Sequence, residues 1–215
     1  MVYVYLHGQV IGTPKFTTTQ TGIPRCVFYM NAKYKNPDKT CLLVRVTALR
    51  DIASRLQEQG IQSGNDVFVS GECGILTWTD EKTGAVRYCL EVDGCDNAAT
   101  SEANMDYSQV VIHLHGQVVG NPKFDPTKTG IPRCMFYVKA GYKRPGRPTI
   151  LTKVTAWRDQ AIQLQKKGLC EDMDVILTGE VNINTWQDEK TGIPKYSLCI
   201  ESADNITAIG ESMNA

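Results

Sequence analysis

Residues Leu43–Gly60 read LVRVTALRDIASRLQEQG, and residues Leu151–Gly168 read LTKVTAWRDQAIQLQKKG. Each stretch opens with strand-like alternation and turns, at its Arg-Asp step, into a short helix stopped by glycine. Strand side chains alternate between faces, so Val44 and Val46 share one face while Leu43, Arg45, Thr47 and Leu49 share the other. In the second stretch that other face carries Leu151, Lys153, Thr155 and Trp157. A cation beside a large apolar or aromatic group on one strand face suits a nucleic-acid backbone and a stacked base. A strand edge that is merely amphipathic would show the same pattern.

The two stretches belong to an internal duplication. A shift of 108 residues aligns Val2–Thr100 with Val110–Ala208 without a gap, and about half the positions are identical. LHGQV recurs at Leu6–Val10 and Leu114–Val118, TGIPRC at Thr21–Cys26 and Thr129–Cys134, and TWxDEKTG at Thr77–Gly84 and Thr185–Gly192. Repeats this long are whole domains rather than solenoid units. The polar, aperiodic segment Gly94–Gln109 predicts the connection. The expected organisation is a first domain at 1–100, a linker at 101–109, a second domain at 110–209 and a short tail at 210–215.

Each copy predicts the same order of elements. In the first, strands are expected near Val2–Ile11, Cys26–Tyr34, Cys41–Ala48, Asp66–Trp78 and Val86–Val92, with a helix near Arg50–Gln59. Gly8 is expected to mark a bulge or sharp bend in the first strand. The fold class is all-β with one short helix per domain. Five strands with a helix between the third and fourth is the order of an OB-fold, a small partly open barrel, so two tandem OB-folds are expected; other small barrels fit the same pattern.

Net charge is zero, with 23 Lys and Arg against 23 Asp and Glu. The distribution is uneven. Lys15–Gln57 holds eight cations and two acids, and Lys123–Lys167 holds eleven and two. The local patch rather than the total sets attraction to a polyanion. Eight cysteines are present, but only Cys26 and Cys134 occupy equivalent positions and no CxxC pair occurs. A structural framework would recur in both copies, so reduced, mostly buried thiols are expected, with no metal and no cofactor. No apolar run is long enough to span a membrane, and the N-terminus lacks the basic start and apolar core of a signal peptide. Residence in the cytoplasm, in association with the nucleoid, is the expectation.

Aromatic residues interleave with the cations. Tyr29, Tyr34, Trp78 and Tyr88 recur as Tyr137, Tyr142, Trp186 and Tyr196. Alternation assigns Phe28 and Phe136 to the core and turns Tyr29 and Tyr137 outward beside the basic third strand. Tyr34 and Tyr142 are expected at loop rims, and Trp78 and Trp186 in polar hairpin arms. The candidate nucleic-acid-binding residues in the first copy are Tyr29, Lys33, Tyr34, Lys35, Arg45, Trp78 and Arg87. In the second they are Tyr137, Lys139, Tyr142, Lys143, Arg144, Arg147, Lys153, Trp157, Trp186 and Lys195.

These motifs together resemble the bacterial single-stranded-DNA-binding (SSB) protein family over nearly all of each copy. HGQVVGNPKF at His115–Phe124, followed by TKTG at Thr127–Gly130, looks like the family's first strand and loop. VTAWRDQA at Val154–Ala161 looks like its third strand and helix start, and GEVNINTWQDEKTGIPKY at Gly179–Tyr196 like its last hairpin. By position, Trp78 and Trp186 match the family's hairpin tryptophan. Trp157 matches an aromatic at the end of the third strand, where the first copy has Leu49. Leu43 and Leu151 stand at another stacking position, Tyr34 and Tyr142 near a further one, and Arg45 and Lys153 at a basic position. The resemblance implies sequence-tolerant binding and protection of single-stranded DNA in replication, repair or recombination, by base stacking plus phosphate contacts. It also implies a homodimer presenting four OB-folds, as in family members with two barrels per chain. The chain ends ESMNA, without the family's acidic, glycine-rich tail ending in Pro-Phe, so partner recruitment through such a tail is not expected.

Two other classes compete. An OB-fold interaction module, such as a replication-restart accessory or a divergent SSB paralogue, would act mainly through protein assembly. RNA also stays open as the bound strand, because nothing in the sequence reads a 2′-hydroxyl. An enzyme is not expected: a Cys26–His7 thiol–imidazole pair is the one nucleophile candidate, and a strand histidine with a satisfied hydrogen bond is far commoner.

Overall fold

The computed structural model of the protein describes residues 1–34, 36, 38–101, 109–143 and 146–209. The chain divides into two compact units, Tyr3–Val111 and Ile112–Ala215 together with Met1–Val2. Most of the expected linker and the tail at 210–215 lie outside the described residues. No helix among the described residues is long and apolar enough to cross a membrane.

The first unit runs β1 (Val2–Thr18), β2 (Pro24–Ala32), β3 (Leu42–Leu49), α1 (Asp51–Glu58), β4 (Asp66–Thr79), β5 (Val86–Asp93) and β6 (Asn97–Ser101). Its strands follow the order β1-β2-β3-β5-β4, and β4 returns to pair with β1 from Gln9↔Asp66 to Tyr3↔Glu72. That pairing closes a five-stranded barrel. All ladders in it are antiparallel except β3–β5, where Val44–Thr47 run parallel to Leu90–Asp93. The second unit repeats the plan with β7 (Gln109–Phe124), β8 (Arg133–Ala140), β9 (Ile150–Trp157), α2 (Arg158–Lys167), β10 (Asp174–Gln187) and β11 (Pro194–Ile209). Its barrel order is β7-β8-β9-β11-β10, closed by β10 on β7, and β9–β11 is again parallel. A mostly β fold of five-stranded barrels, each with one helix between its third and fourth strands, is what the sequence predicts.

Alternation builds the barrel interior. On β2, Cys26, Phe28, Met30 and Ala32 are buried while Tyr29 is exposed, and on β3 Val44 and Val46 are fully buried. Burying a side chain the size of Phe28 stabilises the fold by about 1.5–3 kcal/mol. Helix α1 buries Ala53 and Leu56, and α2 buries Ala161 and Leu164. Both helices stop in the same glycine cap. Gly60 and Gly168 take φ of +64° and +70°, and the next amides, Ile61 and Leu169, donate to the carbonyls of Leu56 and Leu164. This is a Schellman arrangement, and its left-handed residue favours glycine.

Three local expectations need correction. Gly8 is not a bulge, because pairing runs unbroken from Gly8↔Ala32 to Ile11↔Tyr29 and the register shift falls between Ile11 and Lys15. Gly8 is required by close approach, since a Cβ there would lie 2.2 Å from the Asn31 carbonyl oxygen, and at Gly116 2.4 Å from that of Lys139. The first strand also runs on past its expected end at Ile11 to Thr18. Finally, Asn97–Ser101, assigned from its polarity to the connection, is a strand pairing with β4 from Asp66↔Ser101 to Ser70↔Asn97. In the second unit the counterparts of β5 and β6 form one continuous strand, β11. Gly94, at φ +68°, interrupts the first unit where the second has Ser202.

Candidate nucleic-acid interface

Register pairing carries one outward row across the five strands of each barrel. In the first unit Ile11 pairs with Tyr29, Tyr29 with Arg45, Arg45 with Glu91, and Glu91 with Gly74. Two further steps along the hairpin, Leu76 pairs with Cys89 and Trp78 with Arg87. Residues two apart on a strand share a face, so Tyr29, Arg45, Arg87 and Trp78 all stand on the outer surface of the same sheet. In the second unit the row is Val119, Tyr137, Lys153, Cys199 and Asn182, with Trp186 opposite Lys195. Tyr29 and Tyr137 are 37% and 45% exposed, and Trp78 and Trp186 likewise 37% and 45%. Large aromatics left open at matched positions of both copies are surfaces on which a base can stack.

The hairpin is tied by hydrogen bonds where it turns. Asp80 accepts backbone N–H bonds from Lys82 and Thr83 at 3.0 Å each, and Asp188 accepts them from Lys190 at 3.1 Å and Thr191 at 3.0 Å. Those bonds, led by the Thr83 and Thr191 amides, hold both carboxyls below the usual carboxylate range. Arg87 and Lys195 lie 3.7 and 3.9 Å from these carboxylates, as long and exposed pairs. Such pairs contribute little and leave both cations accessible.

The two faces differ in charge. Arg45 Nη1 donates to Glu91 Oε1 at 2.6 Å, in a pair whose side chains are 27% and 19% exposed. Lys153, at the equivalent place, faces Cys199, and among the described residues no carboxylate pairs with it. Lys139 is exposed one step along the same face, beside Leu151, where the first unit has Asn31 beside Leu43. Sequence reasoning missed Glu91. Its contact with Arg45 is a parallel pairing between strands 46 residues apart, which local periodicity does not reveal.

Several expected site residues are placed differently. Tyr34 is 5% exposed, not at an open rim, with the Lys39 ammonium 5.0 Å from its ring, so it is a buried residue rather than a stacking platform. Tyr142 is half-buried, and Arg147 lies 5.4 Å from its ring. Trp157 is half-buried; its indole N–H donates to the Glu201 carbonyl at 2.6 Å, and the Arg133 guanidinium lies 5.8 Å from its ring. Its ring is therefore engaged by its own barrel. Thr47 and Thr155, expected on the open face, are buried, and the Cys95 amide donates to the Thr47 carbonyl. Lys33 and Lys143 are exposed. Lys35 and Arg144 lie outside the described residues.

The nucleophile candidate does not fit catalysis. All eight cysteines are free thiols and six are buried. Burial pushes the Cys26 thiol up to about 11 and Cys134 up to about 12, the opposite of an activated thiolate. His7 stacks on Phe68 with ring centroids 4.4 Å apart.

No protein-family model and no curated protein matches the chain. Among solved structures, the wild-type single-stranded DNA binding protein from Thermus aquaticus matches with a TM-score of 0.62 at 14% identity, covering 100% of this chain and 96% of that one. A deletion mutant of the same Thermus aquaticus protein gives a TM-score of 0.63 at 15% identity, covering 99% of this chain and 96% of that one. The two proteins share a fold across nearly their whole lengths.

Proposed function

We propose that the protein binds single-stranded DNA without sequence preference, stacking bases on outward aromatics and holding phosphates on neighbouring cations. The observation that carries this is the registered face on which Tyr29, Arg45, Arg87 and Trp78 recur as Tyr137, Lys153, Lys195 and Trp186. Stacking on a π-face tolerates every base. The whole-length likeness to a solved single-stranded DNA binding protein supports the reading, as do the motifs that resemble that family. On this reading the chain is a tandem-barrel SSB, assembling as a homodimer of four barrels and protecting single strands in replication, repair or recombination, at the nucleoid.

The test is tryptophan fluorescence on titration with oligo-dT across a salt series. Quenching at low salt is expected, with the affinity falling as salt rises by a log–log slope of roughly −0.7 per neutralised phosphate. Absence of quenching at low salt would remove the proposal. An oligo-U arm separates DNA from RNA, and light scattering at micromolar protein separates dimer from monomer.

A further inference from the structure

We infer that Glu91 is an internal competitor for the phosphate position of the first unit, and that Cys199 in its place makes the second unit the tighter subsite. This rests on the single-strand reading of the outward face. Arg45 is the cation of β3 on that face, flanked by Tyr29 on one side and Glu91 on the other at matched register. Directly opposed cross-strand side chains stand roughly 5 Å apart, so a base stacked on Tyr29 brings its phosphate within reach of Arg45. The Glu91 carboxylate already occupies Nη1 at 2.6 Å. Carboxylate and phosphate are both anionic acceptors for the same guanidinium fork. An incoming phosphate must therefore displace Glu91 or accept a like charge beside it. The pair is partly exposed, which makes it a displaceable occupant rather than a fixed one.

The second unit lacks that occupant. Lys153 faces Cys199, and Lys139 adds a second exposed cation beside Tyr137. Counted over these positions, the first face carries Arg45 against Glu91 and the second carries Lys139 and Lys153 with no acid. The two barrels are built alike yet present different fields to a polyanion.

The experiment reads each unit separately in the full chain. Trp157→Phe with Trp186→Phe leaves Trp78 as the reporter of the first unit, and Trp78→Phe with Trp157→Phe leaves Trp186 for the second. In the Trp78 reporter, Glu91→Gln is expected to tighten oligo-dT binding about five-fold, near the upper reach of exposed ion-pair effects. It should also steepen the salt slope by about 0.7. Glu91→Cys, which installs the residue the second unit already carries, should act alike, and Cys199→Glu should weaken binding in the Trp186 reporter. Thermal melts verify folding. Unchanged or weaker binding by both Glu91 variants, with melting preserved, would overturn the inference, because Glu91 would then be positioning Arg45 rather than competing with phosphate. Loss of quenching in both parent reporters would instead remove the single-strand reading itself.

Discussion

At one register position of the fifth barrel strand the first unit carries Glu91 and the second Cys199, and the consequences spread across the face. Arg45 is tied to a carboxylate at 2.6 Å, whereas Lys153 is not, and Lys139 stands where the first unit has the uncharged Asn31. The aromatics are nearly the same in both units and the barrels share one strand order. The exposed aromatics are thus kept by the fold, while the field around them is set by a few residues at matched register. Two barrels of one chain can therefore share an architecture and present different charge on matched faces.

The largest effect should come from the cations. Lys139→Glu with Lys153→Glu is expected to weaken oligo-dT binding on the order of a hundred-fold at low salt and to flatten the salt slope by about 1.4, two phosphates at 0.7 each. Arg45→Glu should cost far less, since Glu91 already offsets that charge. Equal losses would break the asymmetry.

Next comes Trp157. Losing its indole hydrogen bond and packing should cost the second unit about 2 kcal/mol of stability, below the range of a fully buried tryptophan because the ring is half-exposed. Leu49→Ala should cost about 1 kcal/mol in the first unit. Calorimetric melts of Trp157→Ala and Leu49→Ala beside the wild-type chain check both. A large loss of affinity for Trp157→Ala with unchanged melting would show that the ring stacks a base after all.

Tyr137→Ala should weaken binding about ten-fold, within the 1–3 kcal/mol range of base stacking, and Tyr29→Ala only about three-fold in the weaker subsite. Titrations of the two variants side by side decide this.

The smallest effect is one of acid. The hydrogen bond from Arg133 holds Asp125 below the usual carboxylate range, while Arg25 bonds the non-titrating Thr17 hydroxyl at the equivalent place. A lowered carboxyl contributes stability above its unfolded pKa and loses it as pH falls through the folded value. Acid should therefore lower the melting of the second unit slightly more than the first. The hairpin carboxyls Asp80 and Asp188 are both lowered, by the same kinds of hydrogen bond, one in each unit.

Much of this was legible in the chain. Alternation placed Phe28, Val44 and Val46 inside and Tyr29 outside, and the glycines after the helices marked their ends. What stayed hidden depends on partners far along the sequence. Gly8 reads as a bulge or bend, and its close approach shows only once the Asn31 carbonyl is found against it. The strand Asn97–Ser101 is polar, with Ala98 its buried residue, so it carries no alternation strong enough to separate it from a loop. Tyr34 looks like a rim residue because its neighbours are lysines, yet it turns inward with Lys39 near its ring. Glu91 looks like an ordinary strand acid until the parallel register sets it against Arg45.

Single-strand binding shared unequally between the two units can be read in one titration. The Trp78 and Trp186 reporter chains are each titrated at low salt with an oligo-dT of about ten nucleotides, within the reach of one OB-fold. Quenching of Trp186 at several-fold lower oligonucleotide concentration than Trp78 is the predicted result. Coincident quenching curves, or no quenching of either tryptophan, would contradict the account.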